Sequence, residues 1–148
     1  MPGLSDVEEL SRVSFSPRQV STIVVTAAVV ERDGRFLITR RQAGVHLEGY
    51  WEFPGGKCDP LEPLAACLVR EIREELGVDA TIGSELFAIA HEYPERCVEL
   101  HFFRCDLRGD PNPQLGQEVR WVLREELAAL KFPPADAALI ARLTQTCS

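Results

Sequence analysis

Residues 70–78 read REIREELGV, with glutamates at 71, 74 and 75 and arginines at 70 and 73. Offsets of three and four carry Glu71, Glu74 and Glu75 along one side of any helix formed here. Like charges at that spacing repel by a few tenths of a kcal/mol per exposed pair. Taken alone, the segment reads as an ordinary solvated helix face, so its neighbours must decide whether the acids have a task. Upstream, Ala65, Leu68, Ile72 and Leu76 recur at helical spacing, Pro63 suits a first turn and Gly77 a left-handed stop. The spacing therefore predicts a helix from Pro63 to Leu76 that packs by one face and displays acid on another.

Before that helix stands WEFPGGK (51–57), where two successive glycines allow main chain to approach a ligand without Cβ interference. A carbonyl there and three carboxylates are hard oxygen donors, which suit Mg²⁺ or Mn²⁺ better than zinc. A shared cation turns the repulsion among the glutamates into attraction to a common centre. The substrate suited to such a site carries phosphates. The sequence has no GxxxxGK[ST] element, so a P-loop nucleotide switch has no support.

The remaining pattern is a mixture of strands and helices. STIVVTAAVV (21–30), Asp33-Gly34 and RFLITRR (35–41) predict a hairpin. A short strand is expected at Tyr50–Phe53, and longer ones at Ala80–Ala90, Cys97–Asp106 and 118–122. REELAAL (124–130) suggests one or two helical turns, and PPADAALIARL (133–143) a closing helix. This order predicts an α/β fold with helices against a mixed sheet. Residues 1–19 read as an N-terminal arm or short helix, and 20–148 as one domain.

With 148 residues, the chain is long enough for one domain with a substantial core. A net charge of −7 opposes attraction to polymeric nucleic acid or an anionic membrane. No stretch approaches the roughly 20 apolar residues that span a bilayer. The acidic start lacks a secretory pattern, so a cytoplasmic address is the expectation. The five cysteines form no CxxC pair and no regular framework, which favours reduced thiols.

The run from Gly56 through Glu62 to Arg70-Glu71-Ile72-Arg73-Glu74-Glu75-Leu76-Gly77-Val78 matches the Nudix box at every fixed position. The chain resembles the MutT-type branch of that family, through ITRR (38–41), WEFPGGK, HEYPER (91–96) and FPPAD (132–136). The resemblance runs from about residue 20 to the C terminus. It implies an α/β/α sandwich with a mixed curved sheet and Mg²⁺- or Mn²⁺-dependent hydrolysis of nucleoside triphosphates to monophosphate and pyrophosphate. Oxidised guanine nucleotides such as 8-oxo-dGTP are the leading expectation, with CTP or 5-methyl-dCTP as the alternative. ADP-ribose or another nucleoside diphosphate derivative, and a non-catalytic nucleotide-binding module, are further alternatives. A small nucleotide is the expected partner, on a monomer or homodimer.

Carried over by position, Glu71, Glu74, Glu75 and the Gly55 carbonyl form the expected metal set, with Glu118 nominated as a further ligand or base. Arg70 resembles the arginine that holds the catalytic glutamates, supported by Glu62 and Gly56. Arg41 is expected on phosphate, and Phe53, Tyr93, Arg96 and Asp136 around the base. Asp136 falls where an oxidised-guanine enzyme has asparagine. An ionised acid only accepts hydrogen bonds, which weakens the 8-oxo-dGTP assignment and raises the cytosine option.

Overall fold

The computed structural model describes residues 21–45 and 47–145. The expected N-terminal arm lies outside them. Strand β1 (Ser21–Arg32) returns through Asp33-Gly34 into β2 (Arg35–Arg40), and both turn residues have positive φ, at 52° and 77°. This is the twisted two-residue connection that favours Asp-Gly. Short strands β3 (Trp51–Glu52) and β4 (Gly55–Lys57) precede helix α1 (Leu64–Leu76). A long hairpin follows, β5 (Ala80–Tyr93) and β6 (Arg96–Leu107), then β7 (Val119–Leu123), α2 (Arg124–Leu127), a 3₁₀ turn at Pro134–Asp136 and α3 (Ala137–Gln145).

The central path of the sheet is β3-β2-β1-β6-β5, with β4 also on β1 and β7 on β2. β1 and β6 run parallel and the other pairs antiparallel, so the sheet is mixed. β1 is buried on both faces, and its period-two alternation divides the core. Ala27 and Val29 join Phe36, Ile38, Phe102 and the α3 residues Leu139, Ile140 and Leu143. Ala28 and Val30 join Leu37, Phe103 and the α1 residues Leu68, Ile72 and Leu76. Helices thus cover both faces, as the α/β/α expectation requires.

Helix α1 begins after Pro63 and ends at Gly77, whose φ of 62° is left-handed and whose N–H donates to the Arg73 carbonyl. Leu68, Ile72 and Leu76 are fully buried, each contributing about 1.5–3 kcal/mol by leaving water. The expected stripe is corrected at its first member: Ala65 is exposed, while Cys67 is buried. A second difference is β4, a strand at the two glycines, beyond the short one expected at Tyr50–Phe53. β4 pairs with Val25–Ala27 of β1.

The cysteine expectation also needs correction, because Cys58 and Cys67 are joined by a disulfide. The chain between them folds back so that their Cα atoms lie 5.3 Å apart across nine positions. No short motif announces that approach. Cys97 and Cys105 are free thiols, and burial pushes Cys105 up to about 12.

Candidate active site

The acidic ridge stands where α1 meets β4, and glycine makes the contact possible. A Cβ on Gly55 would lie 2.0 Å from the Thr26 carbonyl oxygen, and one on Gly56 2.1 Å from Glu71 Oε1. Only hydrogen at both positions lets this strand lie between β1 and the acidic face of α1. The Gly55 amide donates to Glu75 Oε1 at 3.4 Å.

Arg70 organises the ridge. Its Nη1 donates to Glu71 Oε2 at 2.9 Å and Glu74 Oε2 at 3.3 Å, while Nη2 reaches the Lys57 carbonyl at 3.2 Å. Nε and Nη2 grip Glu62, whose carboxylate also accepts from the Asp59 amide at 2.9 Å. Those hydrogen bonds, led by Arg70, hold Glu62 down to about 2. The three ridge glutamates are not equivalent. Glu71 and Glu75 are partly buried toward β4, whereas the Glu74 side chain is 58% exposed on the outer side of Arg70.

Beside the ridge opens a cleft of about 370 Å³. Glu75, Glu52, Arg41, Lys57 and Asp136 supply its charge; Phe53, Leu100 and Phe102 form part of its apolar wall. Arg41 Nη1 donates to Glu52 Oε1 at 2.9 Å. Burial, reinforced by Glu52 and Glu71, pushes Glu75 up to about 8. Burial raises Glu52 against the counter-pull of Arg41, and burial together with Glu52 brings Asp136 to about 7. Asp136 is only 6% exposed. Carboxylates that raise one another by proximity form a donor set of hard oxygens suited to a divalent cation.

Phe53 is nearly buried, stacked on Phe132 at 5.4 Å and edge-on to Phe102 at 6.0 Å, yet it borders the cleft. Tyr93 and Arg96 are cross-strand partners at the tip of the β5–β6 hairpin. Counting by twos from Phe102 through Leu100 and Val98 places them on the cleft's side of the sheet. They stand beyond its lining, which reaches Val98.

Glu118 is not brought to the ridge. Its carboxylate is 44% exposed and pairs with Arg40 at 3.3 Å and Arg120 at 3.1 Å. The neighbouring position reaches inward instead: Gln117 is buried and donates from Nε2 to the Glu75 carbonyl at 3.1 Å. Seeking an acid in QLGQEVRW thus selects the outward neighbour of the residue that touches the site. Glu52 is a further cleft residue beyond those expected. Its alternation with Trp51 and Phe53, both buried apolar residues, was the available signal.

An acidic helix clamped by one arginine, a double-glycine strand and a cleft lined by apolar side chains and buried acids together suit a phosphoanhydride hydrolase. The family model for the NUDIX domain matches residues 25–142, and the chain belongs to that family. It is 39% identical over 119 residues to the CTP pyrophosphohydrolase of Escherichia coli K12, covering 80% of this chain and 88% of that protein. It is 37% identical over 124 residues to the 8-oxo-dGTP diphosphatase of Haemophilus influenzae Rd, covering 82% and 90%. Among solved structures, the E. coli ORF135 protein superposes with a TM-score of 0.76 at 35% identity, covering 87% of this chain and 96% of that one. The MutT protein of Methanosarcina mazei Go1 gives 0.75 at 25% identity, covering 84% and 94%.

Proposed function

We propose that the protein hydrolyses nucleoside triphosphates to a nucleoside monophosphate and pyrophosphate, acting on nucleotides with an oxidised or otherwise modified base, 8-oxo-dGTP foremost. The observation that carries this reading is the cleft that Glu75 shares with Gly55, Gly56, Arg41, Glu52 and Asp136, on the same helix as the glutamates 71 and 74 that Arg70 clamps. Glu71, Glu74, Glu75 and the Gly55 carbonyl would hold Mg²⁺ or Mn²⁺, which stabilises charge on phosphate oxygens and makes water a better nucleophile. Arg41 binds phosphate through its planar fork, in the role Arg offers wherever bidentate recognition is needed. Glu52 faces the same cleft as Glu75, is raised by burial and is oriented by Arg41. It is the side chain suited to take the proton of a water attacking the β-phosphorus. Phe53 walls the base cleft, Tyr93 and Arg96 extend its rim, and Asp136 reads the base edge.

A second reading, hydrolysis of cytosine nucleotides such as CTP or 5-methyl-dCTP, is favoured by Asp136 itself. Its ionised form accepts from an exocyclic amino group and repels a guanine O6. The similarity to a CTP pyrophosphohydrolase points the same way. The deciding experiment is a panel of oxidised, methylated and ordinary triphosphates with Mg²⁺, scored by kcat/KM and by product. Monophosphate with pyrophosphate is the expected product. Release of phosphate alone would overturn the proposed bond cleavage, and the ranking chooses between the two base classes.

A further inference from the structure

We propose that Cys58 and Cys67 form a reversible redox-modification site that tightens the metal-binding ridge when oxidised. Their positions connect the disulfide mechanically to the catalytic machinery. Cys58 follows β4 directly, and its amide donates to the Val24 carbonyl of β1 at 2.8 Å. Cys67 lies one helical turn before Glu71 on α1, fully buried, with Sγ 3.3 Å from Thr26 Oγ1. The bond therefore ties the first half of α1 to the β1–β4 pair from which Gly55 and Gly56 meet Glu75 and Glu71.

It also closes the chain between residues 58 and 67, whose tip carries a fully exposed Leu61 at a φ of 66°. Arg70, holding Glu62 and the Lys57 carbonyl, is the second tie across this segment. Reduction leaves that tie in place and removes the covalent one. The ridge then keeps its arrangement with greater freedom, so the expected response is graded rather than all-or-none. That metal response rests on Glu71 and Glu75 holding the cation, as proposed above.

The pair differs in access. Cys58 is partly exposed and borders a surface cleft with Lys57, Asp59, Glu99 and His101, while Cys67 is closed to solvent. Cys58 is thus the sulfur that meets a reagent, and Cys67 the resolving partner. With a hydroperoxide, the Cys58 thiolate attacks the O–O bond, forming a sulfenic acid and releasing water or an alcohol. The Cys67 thiolate then displaces the sulfenic oxygen as water, after proton transfer, and the S–S bond forms. In reverse, one thiolate of an external dithiol attacks Cys58 and expels Cys67, which takes a proton. The dithiol's second sulfur then releases Cys58 and leaves the reagent oxidised. In a reducing compartment the thiol form prevails. An enzyme that clears oxidised nucleotides would then be stiffened by the conditions that generate its substrate.

The test uses the full chain, treated with hydrogen peroxide or dithiothreitol, then freed of reagent and alkylated. Trypsin cleaves after Lys57 and Arg70, so one peptide carries both cysteines. It should be unalkylated and lighter by two hydrogens after oxidation, and doubly alkylated after reduction. Oxidation should tighten Mn²⁺ binding, read by electron paramagnetic resonance, about three- to tenfold. It should raise Tm by about 5–10 °C. Cys58→Ser should abolish both shifts while remaining folded. A doubly alkylated peptide after peroxide, or a bond that forms without altering Mn²⁺ affinity, overturns the proposal. If Mn²⁺ binds neither form, the metal assignment fails separately, and peptide mass with the melting shift decides whether the redox site exists.

Discussion

Arg70 donates to both carboxylate oxygens of Glu62, through Nε at 2.8 Å and through Nη2 at 2.8 Å. This fork fixes the guanidinium on Glu62, leaving Nη1 for Glu71 and Glu74. Lysine cannot reproduce that geometry. Arg70→Lys is expected to lower kcat/KM about 10- to 100-fold, the range seen when an outer partner of a metal site is lost. Glu62→Gln should do the same, and the double variant should be little worse than either single one. Full additivity in the kcat/KM cycle would show that the two residues act separately.

The double glycine permits a sharper contrast. Alanine at 56 places its Cβ 2.1 Å from Glu71 Oε1 and 2.4 Å from Glu71 Cδ, a side chain that can swing away. Alanine at 55 meets the backbone carbonyl of Thr26 at 2.0 Å, which cannot move without parting β1 from β4. Gly56→Ala should therefore retain most stability and lose metal affinity. Gly55→Ala should lose several kcal/mol of stability, as overpacking against fixed atoms does. Urea unfolding beside Mn²⁺ titration separates the two, and equal losses of stability would refute the distinction.

Much of this was legible in sequence because the informative features are local. The period of Leu68, Ile72 and Leu76 gives the helix, Asp33-Gly34 the hairpin, and the box spacing the ridge. β4 was not legible, since glycine has low strand propensity and its pairing with β1 is a long-range contact. The disulfide depends on how residues 58–67 double back, which no short pattern records. Glu118 and Gln117 differ only in which face of one segment they occupy, and a single-residue shift there reverses inside and outside. The apolar wall from Val98 to Phe102 required knowing that β6 runs parallel to β1.

Glu75 combines two opposing roles. Its folded value of about 8 lies above the ordinary carboxylate value of 4.5. A raised acid leaves the folded state binding more protons than the unfolded one. Its contribution is fully present below about 4.5 and is lost as pH rises through about 8. Without metal, Glu75→Gln should therefore match the parent near pH 4 and exceed it by about 1–3 kcal/mol at pH 8, after allowance for partial exposure. Mn²⁺ affinity should fall at least about 100-fold in the same variant. A variant less stable than the parent at pH 8 in chelator would contradict the buried-charge account.

With Asp136 reading the base, as proposed, base preference depends on pH. Below its value of about 7 the neutral acid can donate to a carbonyl such as guanine O6; above it the carboxylate only accepts. The kcat/KM ratio of a cytosine nucleotide to 8-oxo-dGTP should rise by roughly tenfold between pH 6 and 8, equivalent to about 1.4 kcal/mol of discrimination. Taking a ratio cancels pH effects common to both substrates. In Asp136→Asn the ratio should be flat and shifted toward oxidised guanine. A parent ratio that does not move with pH removes Asp136 from base reading.

Gln117 and Glu118 give the last test, because neighbouring residues are assigned opposite importance. Glu118 is held low chiefly by the Arg120 hydrogen bond, with Arg40 adding to it, and both partners lie outside the cleft. An exposed pair of this kind adds little net stability, so Glu118→Gln should leave Mn²⁺ affinity and kcat within about twofold. Gln117 is buried, accepts from the Leu115 amide and donates to the Glu75 carbonyl at the end of α1. Removing it takes away one of the two hydrogen bonds to the Glu75 carbonyl, which keeps the Gln114 amide at 2.9 Å, together with the acceptor of the Leu115 amide, at about 0.5–1.5 kcal/mol each, and loosens the last turn that carries Glu75. Gln117→Ala should thus lower both stability and metal affinity. The reverse ranking, with Glu118→Gln the more damaging to Mn²⁺ binding, would restore Glu118 as a ligand and require the segment before β7 to turn toward the ridge.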